Sequence, residues 1–348
     1  MRKALRRALF VLVASAIVLA AVSVKLYADL KAFREAPFGS DAEKIVEVPA
    51  GSSPRQAVRL LVRAGALSDE GLAWRYVRWM KRDRRAIKAG EYSFTGLLRP
   101  DDVLEKLYRG DVKKYQFTVP EGLRMEEIAK IVEEAGLGRV AELLPLMRDP
   151  AFARELGVPS ANLEGYLFPD TYTFTRNPPP RTVLTAMVTR LKEEWRKADA
   201  QRLPGITLDE AQAVTLASIV EKETGQPDER ARISCVFHNR LRRGMRLQTD
   251  PTVMYATMLR TGRWSQNISR SDLEAVHPYN TYTMAGLPPG PIASPGAAAL
   301  RAAVHPADCQ DLFFVSRNDG THVFCPDLRC HKAAVQKWQV EFWRRRRR

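Results

Sequence analysis

The residues best suited to chemistry fall in one stretch, TLASIVEKETGQPDERARISCVFHNRLRRGMRLQTDPTVMY, from Thr215 to Tyr255. Glu221 comes near the end of a short helix whose other positions, Ala213, Val214, Ala217, Ile219 and Val220, cover one apolar side. A helix C-terminus disfavours negative charge, and so does partial desolvation by aliphatic neighbours. A carboxyl kept protonated near neutral pH is what donates a proton to a glycosidic oxygen. The bland alternative is a surface glutamate paired with Lys222 or an arginine. Lys222 and Glu223 themselves are expected to face solvent.

A glycosidase normally places two carboxyl groups roughly 5 to 9 Å apart. Asp250, in LQTDPT, is the first candidate for a partner, with Glu164 and Asp170 behind it. Asp250 precedes Pro251 and also fits an ordinary turn or helix cap. Glu164 and Tyr166 belong to ANLEGYLFPDTYTF, where an acid stands among Phe168, Tyr172 and Phe174. Aromatic rings stack on sugar faces and also fill cores. Other chemistries find little support. Ser294 lacks a nucleophile-elbow pattern, the histidines are scattered, and no Gly-rich phosphate loop or metalloprotease helix pair is present. Four cysteines, Cys235, Cys309, Cys325 and Cys330, allow three pairings. His322, Cys325, Cys330 and His331 could instead hold a metal, although their spacing matches no familiar zinc pattern. Disulfide, metal and free thiols all stay open, and neither a cofactor nor a metal is expected.

The elements that must position these residues read as α+β. Ile45 to Val48 alternates like a strand, and Ser53-Pro54 starts a helix with Ala57, Leu60, Leu61 and Ala64 on one face. A second helix face follows at Ala73, Tyr76, Val77 and Met80, then a strand near Tyr92 and a short helix over 101–107. Tyr115 to Val119, Pro120-Glu121-Gly122 and a helix from Met125 to Ala135 repeat the strand–turn–helix order of 46–61, either as a weak duplication or as a common turn used twice. Thr207 and Glu210 read as a capping box ahead of the Glu221 helix. A second helix is expected over 229–243. A Pro/Gly loop, GLPPGPIASPG, precedes a helix at 297–303. Asn318-Asp319-Gly320 marks a hairpin.

Composition bounds the compartment. The chain has 348 residues and a formal net charge of +15. Nine of the cations are Arg2, Lys3, Arg6, Arg7 and the run Arg344 to Arg348. The excess is largely terminal, which argues against a nucleic-acid partner, while the mildly basic body suits a polymer carrying carboxylates. Four cations precede an uncharged run from Ala8 to Val24. That run reads as a retained signal-anchor in preference to a cleaved signal, with the basic end cytoplasmic and the rest exported.

Taken together, LEGYLFPDTY, ASIVEKET, VFHNRL, LQTDPTVMY, YNTY and GLPPGPIASPG, in this order behind an anchor, resemble the endolytic murein transglycosylases of the MltG or YceG-like kind. The resemblance implies a membrane anchor, small LysM-like strand–helix modules that bind glycan, and a mixed α+β catalytic domain. The implied division is 1–7 cytoplasmic, 8–27 membrane-spanning, 28–44 spacer, 45–112 LysM-like module, 113–160 second module or connector, 161–343 catalytic domain and 344–348 basic tail. It implies that Glu221 is the catalytic acid/base, cleaving the MurNAc–GlcNAc β-1,4 bond of peptidoglycan strands and leaving 1,6-anhydro ends. Gln248, Thr249, Asp250, Asn280 and Tyr282, with Glu164 and Tyr166, are expected to line the cleft. Penicillin-binding synthases are the implied partners. FCPDLRCHK and the Arg tail depart from the family pattern. A glycan-binding scaffold without activity, and a hydrolase using Glu221 with Asp250, are the rival readings.

Overall fold

A computed structural model describes residues 2–81 and 85–346. It begins with one long helix, α1, Arg2–Glu35. Its stretch Leu5–Glu35 is long and apolar enough to cross a membrane, and none of its most apolar window is buried by protein. Leu9, Phe10, Leu12, Ile17 and Leu19 all stand exposed. The helix does not stop where the apolar run stops. Leu30 and Phe33 enter the core of the domain that follows, and Arg34 Nε meets Asp101 Oδ2 at 3.1 Å. Residues 28–44, expected as a spacer, are therefore the end of α1 and the first half of a strand.

That strand, β1 (Phe38–Val48), pairs antiparallel with β2 (Gly90–Leu98). Between them lie α2 (Pro54–Arg63) and α3 (Glu70–Arg75), and α4 (Pro100–Arg109) follows β2. Ser53 starts α2 as expected, its hydroxyl accepting from Gln56 N while Gln56 reaches back to the Ser53 amide. Val46, Val48, Leu61, Tyr92, Phe94 and Leu107 form the core. These elements belong to one compact unit, Met1–Tyr115.

The second compact unit is Gln116–Arg348. The expected connector, 113–160, lies almost entirely within it and is not separated from 161–343. Strand β3 (Tyr115–Thr118) joins β4 (Thr171–Phe174) in a two-stranded sheet. Phe117 stacks on Tyr172 there, ring centroids 5.5 Å apart. Helices α5 (Met125–Glu134), α6 (Val140–Met147) and α7 (Pro150–Glu155) fill the interval, and α8 (Pro180–Asp199) follows.

The centre is α9, Glu210–Glu223. Every residue from Ala213 to Val220 is buried, so α9 is enclosed all round, not on the one side that its spacing suggested. It starts later than expected. Asp209, not Thr207, caps it, with Gln212 completing the box. Packed around it are α10 (Arg230–Arg242), α11 (Asp250–Thr261) and, after the short α12 (Arg270–Glu274), α13 (Ala297–Val304).

The hairpin forms as β5 (Phe313–Ser316) and β6 (His322–Cys325), in antiparallel register. The chain then continues through α14 (Leu328–Val335) in helical form to Arg346. Residues 347 and 348 of the arginine tail lie outside the described residues. The cysteines resolve into two disulfides, Cys235–Cys309 and Cys325–Cys330. Metal ligation by Cys325 and Cys330 is thereby ruled out in this oxidised form.

Candidate active site

Glu221 sits two residues before the end of α9, with its side chain only 5% exposed. Three segments close on it. From α10, Arg230 Nη2 reaches Glu221 Oε1 at 3.1 Å. From the N-terminus of α13, the amide of Gly296 donates to Oε2 at 3.0 Å. From the turn between β3 and α5, Glu121 brings its carboxyl to the same guanidinium. Arg230 Nη2 also reaches Glu121 Oε2, at 3.3 Å. Glu221 is thus not the bare carboxyl on an aliphatic face that its neighbours in sequence suggested. Burial first, and then the charge of Glu221, push the Glu121 carboxyl above its usual range.

Backbone bonds hold these segments in register. Ile292 N donates to Ser218 Oγ at 3.1 Å, one turn before Glu221. Gly122 N donates to Ser294 O, and Ser294 N to Leu123 O, both at 2.8 Å. Lys222 is exposed along its stem, but its Nζ donates to Gly122 O at 2.9 Å. The glycines are required by close approach. A Cβ on Gly296 would lie 1.8 Å from Glu121 Oε1. A Cβ on Gly165, whose φ is +77°, would lie 2.2 Å from Pro291 Cβ. Arg230 Nε and Ser294 Oγ are buried and have no hydrogen-bond partner among the described residues.

A second polar group assembles beside this one. Thr249 Oγ1 donates to Glu223, which is half-buried and does not face solvent as expected. Burial, opposed by the Thr249 hydrogen bond and assisted by Asp250, pushes the Glu223 carboxyl up to about 7. Tyr282 Oη donates to Asp250 Oδ1 at 2.7 Å. Gln248 is exposed, with a left-handed φ of 47°, and its amide donates to Thr281 O. Gln248, Asp250 and Tyr282 are therefore presented at the surface together. No hydrogen bond joins them to Glu221 among the described residues.

Four expected cleft residues are interior. Thr249 is 2% exposed and Asn280 fully buried. Asn280 Nδ2 donates to the carbonyls of Asp272, Leu273 and Ala275, so it ties a turn. Glu164, 2% exposed, accepts from Met125 N at the start of α5 and from Tyr255 Oη. Burial, then the charge of Glu126, pushes its carboxyl up to about 8. Tyr166 is fully buried. These side chains are held in the interior of the fold. The sequence reading passed over Glu121 and Arg230. A carboxylate inside the VPEG turn, and an arginine nine residues after Glu221, were the signals there to find.

Next to Lys222 and Ile292 lies a cavity of about 140 Å³, also lined by Arg124 and Trp264. The guanidinium of Arg124 lies over the Trp264 ring, 4.3 Å from its centroid.

The fold and site define an α+β protein that presents a buried carboxyl at the end of its central helix, against an arginine and a second carboxyl. Residues 46–337 match the YceG-like family, and the chain belongs to that family. It is 30% identical over 313 residues to the endolytic murein transglycosylase of Bacillus subtilis, with 84% of each chain covered. It is 29% identical to the endolytic murein transglycosylase of Streptococcus pneumoniae D39, over 80% of this chain. It spans only 56% of that longer relative. Among solved structures, the yceG-like protein lmo1499 from Listeria monocytogenes superposes with a TM-score of 0.58 at 30% identity, covering 84% of this chain and 99% of that one.

Proposed function

We propose that this protein is a membrane-anchored endolytic peptidoglycan lytic transglycosylase in which Glu221 is the acid and then the base. The carrying observation is the placement of Glu221: enclosed, at a helix end, and fixed by Arg230 and the Gly296 amide. In the proposed reaction, protonated Glu221 gives its proton to the glycosidic oxygen as the MurNAc C1–O bond breaks. The resulting carboxylate then takes the proton of the MurNAc 6-hydroxyl, whose oxygen bonds to C1. Glu221 ends protonated as it began, and no water is consumed. One carboxyl thus serves both proton transfers.

The exposed Gln248 and Asp250 and the half-buried Tyr282 are polar groups available to hold sugar hydroxyls, and the partly exposed Trp264 offers an aromatic face. Residues 45–112 of the first unit are proposed as the LysM-like glycan-binding module. Export is supported by the apolar α1 and by two disulfides, which persist in oxidising compartments. Cleavage beside a penicillin-binding synthase, limiting strand length, is the role proposed from the family resemblance.

The test is to treat uncrosslinked glycan strands with the protein and with Glu221→Gln, and to weigh the products. Anhydro-ended fragments, reduced on the order of 10² to 10⁴-fold in the variant, are expected. Products heavier by one water would replace this reading with hydrolysis. Intact glycan from the folded wild-type protein would replace it with a binding scaffold.

A further inference from the structure

Arg230 faces two carboxyl groups, not one. Its Nη2 lies 3.1 Å from Glu221 Oε1 and 3.3 Å from Glu121 Oε2. Its side chain is 10% exposed and that of Glu221 5%, whereas Glu121 is 46% exposed, so Glu121 forms the solvent side of the trio. Two carboxylates sharing a single guanidinium nitrogen at 3.1 and 3.3 Å cannot both stay ionised cheaply; burial first, and then the charge of Glu221, hold the Glu121 carboxyl above its usual range. The chain also makes room for this arrangement, since any side chain at position 296 would overlap Glu121. The other groups around the trio leave it alone. Lys222 Nζ is turned to the Gly122 carbonyl. Glu229, beside Arg230, is occupied by His322, whose Nδ1 lies 2.7 Å from Oε2. The Pro/Gly loop contributes the Gly296 amide and the Ser294 hydroxyl, neither charged.

We propose that Glu121 is a positioning residue for the reaction: by dividing Arg230 with Glu221, it lets the two carboxyls keep one proton between them, available to Glu221 when substrate binds. An isolated Arg230–Glu221 pair would favour the ionised glutamate, which cannot act as the acid. Adding the second carboxylate cancels the arginine's charge and leaves the pair needing one proton. Glu121 forms no bond to substrate in this scheme. During turnover the proton leaves from Glu221 and returns to it, so the pair is reset without exchange with solvent.

The inference rests on Glu221 being the acid/base of the proposed function, and two measurements separate them. The first is the pH dependence of glycan cleavage for the wild-type protein, Glu121→Gln and Gly296→Ala. Gln keeps the shape of Glu121 without its charge. The methyl group added by Gly296→Ala drives the Glu121 carboxyl away without removing any charged residue from the chain. Both variants are expected to lose activity at lower pH than wild type, by about one pH unit, with kcat at neutral pH down about tenfold and KM nearly unchanged. Their rates should converge with wild type in acid. Equal loss at every pH would overturn the proposal, because a merely structural role lowers the whole profile. The second is a carbon-detected NMR titration of the glutamate carboxyls, which needs no activity. Two separated steps for Glu121 and Glu221 in wild type, and one in Glu121→Gln, are expected. Independent titration in wild type would overturn the inference even if anhydro products form, whereas coupled titration without anhydro products would leave the pair standing and refute the lytic reading alone.

Discussion

Ser218 Oγ accepts the amide of Ile292 at 3.1 Å, a hydrogen bond between residues 74 apart in sequence that fixes the Pro/Gly loop to the helix bearing Glu221. The same hydroxyl donates to Thr215 O, so it is fully used. The loop it holds delivers the Gly296 amide to Glu221. Replacing Ser218 with Ala strands a buried N–H, which costs about 1–3 kcal/mol. Thermal unfolding of Ser218→Ala should report that loss. Its kcat should fall further than its KM changes, since the Gly296 donor moves.

Substituting Asp250 tests the proposed lytic reaction against hydrolysis. It is exposed and takes a hydrogen bond from Tyr282, and its carboxyl has no bond to Glu221. Asp250→Asn is expected to retain anhydro-ended products at a moderately reduced rate, mainly through KM. Mass spectrometry of the products checks this; an Asp250→Asn protein as inactive as Glu221→Gln would favour the two-carboxylate hydrolase.

Stability should fall as pH rises from about 5 to about 8. Glu164 is held up to about 8 by burial, against an ordinary value of 4.5. A raised carboxyl binds its proton more tightly in the folded state, so its contribution is complete below 4.5 and is lost as pH rises to about 8. Glu223, held up to about 7, adds to the same slope. Melting temperature should decline between about pH 5 and 8. In Glu164→Gln the decline should be shallower by at least ~3 °C, because the amide keeps an acceptor for Met125 N and carries no charge.

The two disulfides should contribute unequally. Cys235 and Cys309 are 74 residues apart, Cys325 and Cys330 only 5. Loop-closure entropy assigns about 4 kcal/mol to the first and about 2 to the second. Denaturant unfolding of Cys235→Ser/Cys309→Ser and Cys325→Ser/Cys330→Ser proteins checks the order. The first bridge links α10, which begins with Arg230, to the segment before β5, so its loss should also reduce activity.

Local sequence made much of this legible. Ser53-Pro54 starts α2, Asn318-Asp319-Gly320 turns the hairpin, and Glu221 does end a helix, because capping and turn chemistry act over a few residues. What it could not disclose was contact across the fold. Glu121 meets Glu221 from 100 residues away, and no periodicity encodes that. Glu164, Tyr166 and Asn280 looked like sugar contacts because polar and aromatic residues in loops serve both surfaces and interiors. Each instead satisfies or fills the interior: Glu164 takes Met125 N, Asn280 takes three carbonyls, and Tyr166 packs in the core. An arginine partner for Glu221 was one of the two readings open at the helix end, and the arginine nine residues on supplies it, within a buried pair and not at the surface.

The N-terminal helix is continuous with the first domain. Because α1 runs unbroken to Glu35 and buries Leu30 and Phe33 in the first domain, there is no slack joint between the apolar segment and that domain. At about 1.5 Å per residue a helix of this length reaches about 50 Å, against a hydrocarbon thickness of about 30 Å. Where α1 crosses a bilayer, the first domain rides at a set height and inherits the helix's tilt. A thicker or thinner membrane would then rotate that domain like the head of a leaning mast, so its orientation would depend on the lipid.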